Sequence, residues 1–195
     1  MRPRYQITWS TRSGTLLAIE PRAEEIVQHA AALTVAYNDP HNAPLLGHTE
    51  VLSEHDVIAH YHAVARTGGH NFLILRDGAL VGDADLRHLT NHGAEIAFMV
   101  AAVSAQGRGL GTQIAIMVNA FAFSQLGLAR VYASIIPGNV ASRRVFAKLG
   151  YTLDDTAAGR AFADEPDDLV MSIERSVFES HNATALRDLQ LALRT

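Results

Sequence analysis

A glycine-rich segment is the clearest candidate for chemistry in the sequence. It reads Gln106-Gly107-Arg108-Gly109-Leu110-Gly111-Thr112 and joins a predicted strand to a predicted helix. Alternating glycines allow backbone conformations that are closed to other residues, and they leave the N–H groups uncovered. Together with the unpaired amides at the start of the following helix, these groups favour binding of an anion such as a pyrophosphate. A plain glycine-rich turn is the structural alternative.

Two other nucleotide-binding loops are excluded by the residues in and after this segment. A Walker loop requires Gly-Lys followed by Ser or Thr, and the segment contains no lysine. A Rossmann loop requires glycine at the position of Thr112 and an acidic residue about 20 residues later. The next acidic residue after the loop is Asp154, which is too far along the chain.

The distribution of charge also indicates an anion site near this loop. Between Ile96 and Leu153 the sequence contains no Asp or Glu, although the whole chain has a net charge of −4. The basic residues in that stretch are Arg108, Arg130, Arg143, Arg144 and Lys148. The overall negative charge argues against a protein that binds nucleic acid through bulk electrostatics.

The composition is that of one globular domain. The 195 residues, of which 48% are hydrophobic, suit a single domain over 1–195 with a core at about 15–176. No apolar run of about 18 residues predicts a transmembrane helix, and the N-terminal residues lack the apolar stretch of a signal peptide. The absence of cysteine excludes disulfides, thiolate metal sites and a cysteine nucleophile. We therefore expect a cytoplasmic protein with no membrane partner.

The predicted elements place the loop within a mixed α/β sheet. Apolar residues at helical spacing predict helices over Arg22–Tyr37 and Glu54–Arg66, the second with Ser53 as its N-cap. A meander of three antiparallel strands follows, with Asp77-Gly78 as its first turn. The remaining predictions are strands at Thr15–Ile19, Asn71–Arg76, Ala79–Leu86, Ala94–Ala101, Arg130–Ile136, Tyr151–Leu153 and Leu169–Ser176, helices at Thr112–Leu126, Val140–Leu149 and 183–193, and irregular chain over 41–53.

Several separated motifs resemble those of the GCN5-related N-acetyltransferase (GNAT) family. Gln106-x-x-Gly109-x-Gly111 resembles its acetyl-coenzyme A loop, and Glu95-Ile96-Ala97-Phe98 resembles its fourth strand. Asn139-Val140-Ala141-Ser142 and the following Val145-Phe146-Ala147-Lys148-Leu149-Gly150-Tyr151 resemble the segment after its fifth strand. The likeness covers roughly residues 71–176. Its Asn-x-x-Ser pattern is most similar to the branch that acetylates the N-termini of ribosomal proteins.

The resemblance implies an acyl-CoA N-acyltransferase fold, with a mostly antiparallel central sheet flanked by helices, and acetyl-coenzyme A as co-substrate. Backbone amides of the loop would hold the pyrophosphate. The strand around Phe98–Ala101 would splay from its neighbour and pair with the pantetheine arm, and a backbone N–H there would stabilise the oxyanion. The implied coenzyme-binding residues are Phe98, Met99, Val100, Ala101, Gln106, Gly107, Arg108, Gly109, Leu110, Gly111, Thr112, Asn139, Ser142, Arg143 and Phe146.

The resemblance also implies acid–base roles. An alkyl ammonium with a pKa of about 10 must lose a proton before it attacks. Glu95 stands where some family members carry the general base, with Asp164 or Glu165 as alternatives. Many members place a tyrosine near the leaving thiolate where this chain has Phe146. Ser142, one helical turn earlier on the same face, is the candidate donor. The structural alternatives are an ion pair or solvent-facing position for Glu95, and capping or packing for Ser142.

Histidines are frequent between His41 and His70, but their spacing does not indicate a metal site. His60 and His62 point to different faces of a predicted helix, and a zinc site requires three or four converging ligands. We therefore expect no metal. These side chains are expected either on the surface or along the acceptor cleft.

The sequence as a whole predicts an N-acetyltransferase that transfers acetyl to a primary amine by direct attack in a ternary complex. The acceptor is a small-molecule amine or a protein N-terminus, nucleic acid is not a partner, and a homodimer stays open. The acidic run from Asp154 to Asp168 is either a solvated face or a border of the acceptor site. A non-catalytic acyl-CoA-binding or sensing domain is the alternative, which Phe146 in place of tyrosine leaves open and Glu95 and Ser142 argue against. A toxin that acetylates aminoacyl-tRNA is disfavoured by the net charge of −4.

Overall fold

The centre of the protein is a mixed β-sheet. The computed structural model describes residues 3–11, 14–47 and 49–194, and within these it forms a nine-stranded sheet in the order β7-β8-β6-β5-β4-β3-β2-β1-β9. The strands are β1 (Tyr5–Thr11), β2 (Gly14–Ile19), β3 (His70–Arg76), β4 (Ala79–Thr90), β5 (Gly93–Val100), β6 (Arg130–Ile135), β7 (Thr152–Leu153), β8 (Leu169–Glu174) and β9 (Leu189–Leu193). Among the described residues only β5 and β6 pair in parallel. The predicted fold class, a mostly antiparallel sheet flanked by helices, is therefore confirmed.

Helices cover both faces of the sheet. They are α1 (Ala23–Tyr37), α2 (Asn42–Leu45), α3 (Glu54–Arg66), α4 (Leu110–Ser124), α5 (Val140–Leu149), α6 (Ala157–Arg160), α7 (Arg175–His181) and α8 (Ala183–Leu186), with a 3-10 turn over Val103–Ala105. Leu73 of β3 packs into the cluster under α1 and α3, whereas its neighbours Phe72 and Ile74 join the core that includes α4. Successive strand residues point to opposite faces, so these helix groups lie on opposite sides of the sheet. None of the helices in the described part of the chain is long and apolar enough to cross a bilayer.

The two ends of the described chain differ from the prediction. A helix over 183–193 is wrong for most of its length, because α8 ends at Leu186 and Leu189–Leu193 form β9. This strand pairs antiparallel with β1, a strand that the sequence reading missed. Apolar residues in 189–193 alternate with period two, which is a strand pattern, and the short helix before it obscures that period. The sheet therefore extends beyond the predicted core of 15–176.

The parallel pair of β5 and β6 opens the sheet at one point. The two strands pair only at Ala94 with Val131 and at Glu95 with Tyr132. On its other side β5 stays paired with β4 as far as Val100. The edge of Ile96–Val100 that faces β6 consequently has no strand partner among the described residues. The predicted splay near Phe98 is present, and it leaves backbone donors and acceptors open to a ligand.

Candidate active site

Two cavities meet where β5 and β6 separate. The first, the loop cavity, has a volume of about 330 Å³ and is lined by the glycine loop and α5. The second, the acidic cleft, has a volume of about 420 Å³ and extends across β4 towards α1 and α3. Both are lined by Leu45, Leu46, Phe98, Met99, Asn139 and Ser142. A molecule in one cavity can therefore meet a molecule in the other at this junction.

The glycine loop leaves backbone N–H groups without helix partners at the start of α4. Gly107 and Gly109 have φ values of 71° and 86°, in the left-handed region that favours glycine. Gly109 is the N-cap of α4, which begins at Leu110 rather than at the predicted Thr112. The first helix-type bond runs from the Gln113 N–H to the Gly109 carbonyl at 3.0 Å, so the preceding N–H groups have no partner within the helix. They point out of the positive end of α4.

Gln106 ties this loop to the end of β5. Its Nε2 donates to Asn42 Oδ1 at 2.8 Å and to the Val100 carbonyl at 3.2 Å. Asn42 is buried and donates in turn to the Ala101 carbonyl at 3.2 Å. The predicted coenzyme residue Gln106 thus positions the loop through contacts with the protein. Sequence reasoning missed Asn42, because α2 was read as irregular chain.

Basic side chains on α5 border the loop cavity. Arg144 and Lys148 line it and are exposed, one helical turn apart. Arg108 and Arg143, which the resemblance predicts as coenzyme-binding residues, are not among its lining residues. Ala101 and Leu110 do not line it either, and the side chain of Leu110 is buried in the core. Their predicted roles in coenzyme binding stay predictions.

The start of α5 places a free hydroxyl at the junction of the cavities. Asn139 caps the helix, with its Oδ1 accepting from the Ser142 N–H at 3.0 Å and its Nδ2 donating to the Leu45 carbonyl at 3.0 Å. The Ser142 hydroxyl forms no hydrogen bond to the described residues. Phe146, one turn later, is buried and packs against Phe98 with ring centroids 5.7 Å apart. Ser142 is thus the polar group that this helix presents to the junction.

Glu95 lies in a buried ion pair. Its side chain is 1% exposed, and its two oxygens accept from the Arg87 guanidinium at 2.8 and 3.0 Å. His88 Nδ1 lies 2.9 Å from Oε2. Burial alone would raise the pKa of Glu95, but hydrogen bonds from His88 and Arg87 outweigh it and lower that pKa. The structure therefore shows the ion-pair arrangement named as the alternative, and the catalytic role of Glu95 stays a prediction.

One group of potential metal ligands surrounds this ion pair. His88, Glu95 and Asp164 each offer a ligand atom within 4.8 Å of the others, the arrangement that a metal ion would need among the described residues. The Arg87 guanidinium already bridges Glu95 and Asp164. A cationic side chain thus compensates the two carboxylates at the place that an ion would take.

The acidic cleft contains more carboxylates than cations. Its acidic lining residues are Asp56, Asp83, Asp85, Asp164, Glu165 and Asp168. Its cationic or basic lining residues, Arg87 and His60, are both engaged, Arg87 with Glu95 and His60 with Asp85 at 2.8 Å. The cleft therefore attracts positively charged molecules. Three residues of the acidic run, Asp164, Glu165 and Asp168, line the cleft, and their role beside an acceptor stays a prediction.

Sequence reasoning missed two of these acids, Asp83 and Asp85 on β4. Each is almost fully buried, at 4% and 7% exposure. The hydroxyls of Tyr37 and Tyr61 both donate to Asp83 Oδ2, at 2.7 and 3.0 Å. Burial raises the pKa of Asp83 to about 6, although the two tyrosines act in the opposite direction. The signal in the sequence was a pair of acids at i and i+2 within the apolar first part of the strand, a spacing that places both on one face.

These features agree with a match to a family model. The model described as an acetyltransferase (GNAT) domain matches residues 18–152. The chain belongs to the GNAT family. The resemblance stated from the motifs is thus confirmed. The matched residues include the glycine loop and the separating strands β5 and β6.

Proteins of similar sequence or structure include two acetyltransferases and RimJ. The human alpha/beta-tubulin-N-acetyltransferase 9 is 36% identical over 80 residues, a match that spans 38% of this chain and 38% of that protein. Mycobacterium smegmatis RimJ, in complex with CoA-disulfide, superposes with a TM-score of 0.75 at 20% identity, over 96% of this chain and 97% of RimJ. The aminoglycoside acetyltransferase AAC(6')-Ib, in complex with coenzyme A, gives a TM-score of 0.67 at 18% identity, over 90% and 98%. These structures share the fold.

Proposed function

We propose that this GNAT protein transfers the acetyl group of acetyl-coenzyme A to a primary amine. The observation that carries the proposal is the junction at which the loop cavity and the acidic cleft meet beside the open edge of β5. RimJ and AAC(6')-Ib, which share the fold, form complexes with a coenzyme A species. The loop cavity would hold the coenzyme, with its pyrophosphate on the N–H groups at the start of α4 and its other phosphate near Arg144 or Lys148.

The open edge of β5 would direct the acyl chain to the junction. Backbone groups on the open edge of Ile96–Met99 are suited to pair with the pantetheine amides, and an N–H there to stabilise the oxyanion. The amine lone pair attacks the thioester carbonyl directly, a C–N bond forms, and the C–S bond breaks. The Ser142 hydroxyl borders both cavities and would hydrogen-bond to the departing sulfur. The two substrates would occupy adjoining cavities, which supports a ternary complex.

The acceptor is best described as a cationic small-molecule amine. Carboxylates outnumber cations in the acidic cleft, and its volume of about 420 Å³ lies within the range of small-molecule sites. AAC(6')-Ib binds the aminoglycosides named in its complexes, paromomycin and ribostamycin, with the same fold. A protein N-terminus is the second acceptor class, in line with the fold shared with the ribosomal-protein-S5-alanine acetyltransferase from Vibrio fischeri.

A panel assay tests the proposal. Release of free thiol from acetyl-coenzyme A would be followed with diamines, polyamines, aminoglycosides, amino acids and short peptides with free N-termini. We expect amine-dependent thiol release, greatest for small molecules with several positive charges. Calorimetry with acetyl-coenzyme A provides the companion measurement. Tight binding without transfer to any amine would instead support the non-catalytic sensing domain.

A further inference from the structure

The acceptor needs a group that takes its proton, and the most suitable carboxylate lies on β4. We propose that Asp83 is the proton acceptor for the attacking amine. The proposal rests on the proposed function and assigns a residue that the sequence motifs did not indicate. It concerns which atom receives the proton, and it can fail while acetyl transfer itself is confirmed.

Asp83 lies in the acidic cleft, beside a residue of the junction. It pairs across the ladder with Met99, a residue that lines both cavities. Directly opposed residues in an antiparallel pair have Cα atoms about 4.5–5.5 Å apart. Asp83 itself lines the acidic cleft. Asp83 therefore lies one strand away from the part of β5 whose open edge, on the side away from β4, would hold the thioester.

The hydrogen bonds of Asp83 leave one oxygen available. Tyr37 and Tyr61 both donate to Oδ2, whereas Oδ1 receives no hydrogen bond from the described residues. The tyrosines fix the orientation of the carboxylate without supplying a positive charge. Glu95 differs, since both of its oxygens are held by a guanidinium. A carboxylate whose two oxygens accept from a guanidinium has little tendency to take up a proton.

The surroundings of Asp83 are mostly uncharged. Burial raises its pKa to about 6, and the Asp85 carboxylate acts in the same direction while the tyrosine hydroxyls and His60 oppose it. The groups that face it are Tyr37 from α1, Tyr61 and His60 from α3, Asp85 and Arg87 from its own strand, and Leu73 and Met99 from β3 and β5. A base with a pKa near the working pH removes a proton efficiently and is still largely ionised at neutral pH.

The proton balance of the reaction is complete with these groups. The acceptor arrives as an ammonium ion, and Asp83 takes one N–H proton and leaves a lone pair on nitrogen. That pair forms the C–N bond to the thioester carbon. As the C–S bond breaks, the second proton leaves nitrogen and ends on the coenzyme sulfur as a thiol. Asp83 then releases its proton to solvent, so one ammonium and one thioester give one amide, one thiol and one proton.

The test is the pH dependence of Asp83→Asn, which keeps the shape of the side chain. With an amine identified in the panel assay, wild-type kcat/KM should fall as the pH drops through about 6, the pKa of Asp83. Asp83→Asn should lose about 10²–10⁴-fold at neutral pH, as general-base variants do. It should recover towards pH 10, where the amine is already neutral, and its affinity for acetyl-coenzyme A should be unchanged.

Tyr37→Phe and Tyr61→Phe give a second readout that keeps Asp83 in place. Each removes a hydrogen bond that favours the ionised carboxylate, so the acid limb of the rate profile should move to higher pH. This measurement decides the matter even if Asp83→Asn does not fold. An acid limb that stays at the same pH in both tyrosine variants contradicts the proposal.

The remaining outcomes separate this inference from the proposed function. Folded Asp83→Asn with kcat/KM within a few-fold of wild type would overturn the role of Asp83 and leave acetyl transfer intact. A loss of rate that is the same at every pH would also overturn it, because it would indicate a structural role only. A wild-type protein that binds acetyl-coenzyme A but acetylates no amine would remove the function and this inference together.

Discussion

Ser142 and Phe146 lie one helical turn apart on α5 with opposite surroundings, since the serine lines both cavities while the phenylalanine ring is buried against Phe98. If the serine hydroxyl stabilises the departing sulfur, Ser142→Ala should lower kcat with little change in acetyl-coenzyme A affinity. A hydrogen bond to a charged group contributes about 1.5–3 kcal/mol, which corresponds to roughly 10–100-fold in rate. Stopped-flow or steady-state thiol release measures the effect.

Two companion variants show whether that effect belongs to the hydroxyl. Ser142→Thr keeps the hydroxyl and should retain most of the rate. Phe146→Tyr introduces the donor that is usual in the family, so it should partly restore kcat to Ser142→Ala. Unchanged kcat in Ser142→Ala would mean that the serine only packs at the start of α5. In that case Phe146→Tyr would not raise the kcat of Ser142→Ala.

The glycine loop leads to a prediction about coenzyme affinity. Gly109 has a φ of 86° and open space around its Cα. Asn tolerates this left-handed conformation better than most residues, and Asp has the same shape with a negative charge. Gly109→Asp should therefore bind acetyl-coenzyme A at least tenfold more weakly than Gly109→Asn, because the carboxylate repels the pyrophosphate. Calorimetry of the two variants isolates the charge from the backbone strain, and equal affinities would place the pyrophosphate elsewhere.

The geometry of the loop cavity could be predicted from the sequence better than that of the acidic cleft. The glycine loop and the start of α5 are local features, because adjacent residues set the φ values of Gly109 and the cap by Asn139. The Asp83 site depends instead on tyrosines 46 and 22 residues away in the chain. Such contacts form only when α1 and α3 pack on the sheet. Local pattern rules do not contain that information, and the same reason explains why the pairing of β9 with β1 was missed.

The ion pair between Glu25 and Arg194 predicts acid sensitivity near the end of the chain. Arg194 donates to both Glu25 oxygens, at 2.6 and 2.9 Å, and connects the residue after β9 to α1. The hydrogen bond from Arg194 lowers the pKa of Glu25 to about 2 from its usual value of 4.5. A depressed pKa means that the pair stabilises the fold above pH 4.5 and loses this contribution as the pH falls towards 2.

Arg194→Met should therefore lower the free energy of unfolding at pH 7 by about 1–3 kcal/mol, between the values for exposed and buried pairs. The difference from wild type should shrink in urea titrations below pH 4. Arg175→Met is the matched control, because Arg175 pairs with Glu179 one turn along α7 and both side chains are about half exposed. That control should change stability by less than about 0.5 kcal/mol.

Glu95→Gln separates a structural from a catalytic role for the carboxylate predicted as the base. The substitution keeps the shape of a side chain that is 1% exposed but weakens its contact with Arg87, so the free energy of unfolding at pH 7 should fall by about 1–3 kcal/mol. Hydrogen bonds from His88 and Arg87 lower the pKa of Glu95, so this stabilisation is present above its usual value of 4.5 and is lost as the pH falls below it. Urea titrations at pH 7 and pH 4 should show the difference shrinking.

The rate profile of the same variant decides the catalytic question. With Asp83 as the proton acceptor, Glu95→Gln should keep the acid limb of kcat/KM near pH 6, because the group that titrates there is unchanged. Any fall in rate should be uniform with pH, since the loosened Arg87 no longer fixes the wall of the cleft. With Glu95 as the base, the acid limb would disappear and the rate would recover near pH 10, where the amine is neutral. Measured side by side, Glu95→Gln and Asp83→Asn cannot both show that recovery if a single carboxylate takes the proton.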